Sequence, residues 1–101
     1  MTEHDIRQSL IDQLRQQDKE TPYTLGLVDE YMWHYEVVQG LQADVKKRGV
    51  KVTGMNTKGF EVVKDNESLK AIRDEHIAML KILQTLKLQE PVKLSNNHDY
   101  L

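Results

Sequence analysis

The chain has 101 residues, with 14 Lys+Arg against 16 Asp+Glu, no Cys and two Pro, which limits it to one small domain with a thin core and no disulfide. Leu, Ile, Val and Phe supply 27 residues, enough to leave the disordered class, while the apolar runs are too short for a transmembrane helix. The net charge of -2 hides a segregation: residues 1–45 carry three bases and nine acids, residues 46–101 eleven bases and seven acids.

The first element predicted is a helix over 3–17, where Ile6, Leu10, Ile11 and Leu14 form a one-sided apolar stripe. Thr2 and Asp5 are spaced as a capping box, with Asp in place of the preferred Glu or Gln. The polar, acidic start Met1-Thr2-Glu3-His4-Asp5 is unlike a signal or transit peptide, and the absence of Cys fits a cytosolic protein. Thr21-Pro22 marks a restart, a hydroxyl N-cap followed by Pro at the first helical position.

The second helix is expected over 22–48. Val28, Tyr31, Met32, Tyr35, Val38, Leu41 and Val45 keep a helical spacing, with Tyr31 and Tyr35 on the core stripe and Trp33 pointing elsewhere as an interface anchor. Lys46-Lys47-Arg48 suit the negative end of the helix dipole, and Gly49 is a natural stop. Next, Val50-Lys51-Val52-Thr53 and Phe60-Glu61-Val62 alternate around a Gly/Asn turn, the pattern of a β-hairpin. Two strands alone are marginal in water, so this hairpin is expected to lean on the helices, a second copy or a partner.

A third helix starts near Asp65-Asn66, with Glu67 in its first turn, and runs to about Lys87. Leu69, His76 and Leu83 recur every seven residues, as do Ile72, Met79 and Leu86, and Ile77 and Leu80 widen the seam into a second apolar face. A helix apolar on two sides has more to bury than one small chain can cover. Homo-oligomerisation through these eight residues and Trp33 is therefore expected. The resulting picture is one mainly α domain over 1–91. The second and third helices pair antiparallel, the β-hairpin is inserted between them and the first helix packs across. A flexible tail is expected over 92–101.

No motif points to catalysis. The four histidines are scattered, no Cys/His cluster exists, and Glu30 and His34 at i, i+4 read as a surface pair and not as metal ligands. Gly49-Val-Lys-Val-Thr-Gly54 has the glycine spacing of a phosphate loop but is followed by Met55-Asn56 where Lys-Ser/Thr is needed. No enzyme activity, cofactor or metal is therefore expected. His76 is expected in a core or an interface. The basic run Lys46, Lys47, Arg48, Lys51 and Lys58 faces no acid between 46 and 58, which suggests contact with an anionic surface, DNA phosphates first.

The order of parts carries a resemblance. A long helix ends in Lys46-Lys47-Arg48-Gly49 and leads to a short hairpin. Val63-Lys64-Asp65-Asn66-Glu67 then opens a helix that closes with Leu83-Gln84-Thr85-Leu86-Lys87-Leu88-Gln89-Glu90-Pro91. Over residues 25–92 this resembles the small subunit of a tailed-phage DNA-packaging terminase of the P-twenty-seven type. Members of that family have a helix ending in a basic residue and Gly, a Lys-x-Asn-Pro-like helix start and a Leu-Gly-Leu-x-Pro close. Glu67 stands where the family usually has Pro, and Lys87 where it usually has Gly. The resemblance implies a non-catalytic ring around a central channel, working in the host cell cytoplasm, with double-stranded viral DNA and the large terminase ATPase-nuclease as partners. A small helical protein–protein adaptor with no DNA contact is the alternative.

Overall fold

The computed structural model describes residues 1–91; the expected tail, 92–101, lies outside the described residues. Local chemistry sets the boundaries. Thr2 Oγ1 accepts the Asp5 N–H at 3.2 Å and Asp5 Oδ2 accepts the Thr2 N–H at 3.0 Å, a reciprocal cap that starts α1 (Glu3–Gln16). The helix closes with Asp18 left-handed (φ 56) and the Lys19 N–H returning to Leu14 O at 2.9 Å. Thr21 and Thr24 repeat the reciprocal cap at the start of α2 (Pro22–Arg48), with Pro22 at its first position. This 27-residue helix is roughly 40 Å long. It stops where Gly49 takes φ 92 and donates to Val45 O at 2.7 Å.

β1 (Lys51–Met55) and β2 (Glu61–Asp65) then pair antiparallel, Lys51 opposite Asp65 and Met55 opposite Glu61. Asn56 shapes their turn: its side-chain oxygen accepts the N–H groups of Lys58 and Phe60, and Gly59 takes φ 83. α3 (Ser68–Leu86) follows; of the two residues expected to cap it, Asp65 belongs to the sheet, while the Asn66 side chain accepts the Ser68 N–H and its carbonyl the Leu69 N–H. The protein is thus mainly helical with one short two-stranded antiparallel sheet.

The described chain forms two compact units, Met1–Trp33 with the chain from Met79 onward, and His34–Ala78; α2 and α3 contribute to both. In the first, all three helices supply buried apolar side chains: Ile6, Leu10, Ile11 and Leu14 from α1, Val28, Tyr31 and Met32 from α2, and Met79, Leu83 and Leu86 from α3. Leu88 joins them because the chain after α3 folds back. Lys87 takes φ 58, Leu88 N–H reaches Leu83 O at 2.9 Å, and Gln13 and Gln17 of α1 hold the segment through Gln89 and Lys87.

In the second unit Val38 is the one buried apolar side chain. Here α2 and α3 run in opposite directions, since Asp44 meets Ser68 and, further back along α2, His34 meets Glu75 further on along α3. His34, which spacing sets against Glu30, faces α3 in the fold. It is half-buried and bonded across to the other helix.

Candidate nucleic-acid and assembly surface

Where α2 ends, the hairpin leaves and α3 begins, the chain ties a polar knot. Arg48 grips Asp44 with two hydrogen bonds, Nε to Oδ1 at 2.7 Å and one terminal nitrogen to Oδ2 at 2.8 Å. The same nitrogen reaches Asn66 Oδ1 at 3.1 Å and Glu67 Oε1 at 2.9 Å. Asn66, only 1% exposed, donates to Asp44 and to the Gly49 carbonyl, while the Ser68 hydroxyl donates to Asp44 at 2.7 Å. The bonds from Arg48, Ser68 and Asn66 hold the Asp44 carboxyl well below the usual carboxylate range, and Arg48 lowers Glu67 in the same way. A guanidinium fork is the group suited to such planar, multiple recognition.

This separates the five cations expected to meet an anion. Arg48 is committed to the knot, and Lys51 pairs with Asp65 across the sheet. Lys46, Lys47 and Lys58 are exposed and form no ion pair among the described residues. Lys64 belongs with them, although the basic run in the sequence does not include it. It is exposed, and its stem lies across Gly54, where an added Cβ would stand 2.7 Å from Lys64 Cε. The signal for it is the alternation through Val62-Val63-Lys64, which places it on the same sheet face as Val52 and Val62.

The hairpin itself has no buried residue in either strand, and Met55, Phe60 and Val63 stand exposed on it, with Val50 just before β1. It is a projecting arm that is both basic and apolar.

The heptad seam of α3 also divides. Met79, Leu83 and Leu86 are buried inside the chain's own core and offer no surface to a second copy. Leu69 and Ile72 are half-buried, and His76 is exposed on the single chain, outside its core. Ile77 (53% exposed), Leu80 (49%) and Trp33 (58%) remain on the outside. The repeat carries two faces, and the chain's other helices cover one of them.

No group of three or more His, Cys, Asp or Glu side chains could hold a metal among the described residues, and no helix of the described chain is long and apolar enough to cross a membrane. An open depression beside the end of α3, lined by Leu80, Leu83, Gln84, Leu88, Gln89 and Glu90, brings no acid–base pair together. The chain matches no family model, no curated protein and no solved structure.

Proposed function

We propose that the chain is the small terminase subunit of a tailed phage: a non-catalytic protein that assembles into a ring in the host cell cytoplasm, binds viral DNA and engages the large terminase ATPase-nuclease. The observation that carries this reading is the projecting hairpin. Its root and turn present Lys46, Lys47, Lys58 and Lys64 without ion-pair partners among the described residues, while Arg48 is committed to the junction with Asp44, Asn66 and Glu67. Long, mobile, hydrated lysines suit sequence-tolerant contact with phosphates, and several copies of a weak patch on one DNA gain by avidity.

Two details of the helix ends support the resemblance. Lys87, at the position where the terminase pattern carries Gly, has φ 58, the left-handed conformation that glycine adopts without strain. Glu67, at the position of the pattern's Pro, has gained a bond to Arg48. For the assembly, Trp33, Ile77 and Leu80 are among the exposed apolar residues the helices offer.

The exposed Met55, Phe60 and Val63 favour a second reading, in which the arm docks on protein alone. Light scattering and DNA retardation on the purified protein separate the two. A multimer that retards duplex DNA at low salt and releases it at high salt is the outcome expected. A multimer with no retardation at any salt would leave the adaptor, and a monomer would remove the ring.

A further inference from the structure

The two strands pair in a register that fixes which backbone groups look outward. Asn66 N–H bonds to Val50 O at 2.8 Å at the root of the hairpin, and Asn56 N–H to Phe60 O at 2.9 Å at its tip. In an antiparallel pair, hydrogen-bonded and non-hydrogen-bonded positions alternate. Between these two anchors, the even-numbered residues Val52, Gly54, Val62 and Lys64 turn their N–H and C=O groups towards each other. Lys51, Thr53 and Met55 therefore turn theirs out along the free edge of β1, and Glu61, Val63 and Asp65 along the free edge of β2. Among the described residues the sheet holds two strands, and neither edge is paired with a further strand. The same six residues are the exposed ones on the outer sheet face.

The charges on these edges choose among the pairings open to them. Two β2 edges meeting antiparallel about Val63 would set Glu61 against Asp65 of the other copy, acid on acid. Two β1 edges meeting about Thr53 would set Lys51 against Met55, with no charge satisfied. A β1 edge meeting a β2 edge, in the register the chain already uses, sets Lys51 against Asp65 and Thr53 against Val63. Each Lys51 would then lie between two Asp65 carboxylates and each Val63, 73% exposed in the single chain, between two Thr53 side chains.

We infer that the hairpin joins copies of this chain edge to edge, β1 of one copy adding to β2 of the next as a continuous antiparallel sheet. The inference deepens the assembly reading above and rests on it only in requiring a second copy. Because the two surfaces differ, the interface is heterologous: copies add head to tail, and the array closes into a ring if the rotation between copies allows it. Closure would leave no bare edge, and the marginal two-stranded sheet would gain its missing neighbours.

The absence of Cys makes the test clean. Thr53→Cys and Val63→Cys are made in separate chains, so no chain can close on itself, and the two are co-expressed and oxidised. Across a hydrogen-bonded antiparallel pair the Cα atoms lie about 5.5 Å apart, within reach of a disulfide. The expected result is a covalent dimer in the mixture and none from either variant alone. A dimer from Thr53→Cys alone would mean β1 meets β1, one from Val63→Cys alone that β2 meets β2, and either overturns the inference. So does an oligomer with no mixed disulfide, which leaves the assembly reading standing, whereas a monomeric wild type removes both. As a second arm, Val63→Pro deletes an outward N–H and spares the bonds within the hairpin. It should lower the mass in solution with the helical circular dichroism unchanged, and an unchanged mass would contradict the inference.

Discussion

The two units of this chain are held together by different physics. Among the described residues, the first, Met1–Trp33 with the chain from Met79, contains eleven of the twelve buried apolar side chains; the second, His34–Ala78, contains Val38 and the buried polar pair Asn66 and Ser68. One is a small oil-filled core and the other a hydrogen-bonded knot at the root of an arm. Apolar burial is non-directional and tolerates repacking, whereas a buried polar network stabilises only when every member has its partner. The buried members of the knot, Asn66 and Ser68, meet that condition: no buried side-chain nitrogen or oxygen among the described residues lacks a hydrogen bond. The division suits an account in which the first unit keeps the fold and the second presents a working surface.

The sharpest break of this comparison is in the core. Leu10 and Leu14 are fully buried, so Leu14→Ala should remove about 2–5 kcal/mol, a large part of the stability of so small a chain. Urea unfolding followed by circular dichroism should show the midpoint falling sharply for this variant. Asn66→Ala should cost less, about 1–3 kcal/mol, by stripping partners from Arg48, the Gly49 carbonyl and the Ser68 N–H. Its effect should also be local. Hydrogen exchange should speed up between residues 44 and 70 and change little in α1, and uniform acceleration would mean that the units do not open separately.

Acid should distinguish the units in the same way. Asp44, Asp65 and Glu67 all have carboxyl groups lowered by hydrogen bonds from Arg48, Ser68 or Lys51. A carboxyl lowered by folding contributes stability that is fully present above its ordinary range and lost as pH falls through and below it. Titration from pH 6 to pH 2 should therefore release exchange protection around the knot before the apolar unit melts. The smallest effect expected is a gain. Lys87→Gly relieves a left-handed lysine and should add about 1 kcal/mol, raising Tm by several degrees.

Much of the architecture is legible in the sequence because it is written locally. Thr21-Pro22 and Gly49 bound α2 at 22–48, and Asn56 and Gly59 mark the turn of the hairpin. What the sequence conceals depends on partners far along the chain. Arg48 looks like one more cation in a basic run, since only Asp44 lies within helical reach and Asn66 comes 18 residues later. Spacing pairs His34 with Glu30, because its partner Glu75 is 41 residues away. The heptads of α3 give the period of the seam without saying which side Met79, Leu83 and Leu86 bury internally and which leaves Ile77 and Leu80 in solvent. Period is a property of one helix, and burial is a property of its neighbours.

The central claim is that the second unit presents free lysines to DNA on a root that Arg48 keeps in place. The direct measurement is the salt dependence of duplex DNA binding by the wild type and by a Lys46→Ala, Lys47→Ala, Lys58→Ala, Lys64→Ala variant, with the mass in solution recorded for both. The account predicts an unchanged mass, weaker binding to all sequences alike, and a log–log salt slope reduced by about 0.9 for each phosphate the variant no longer neutralises. An unchanged affinity and slope with the assembly intact would contradict it.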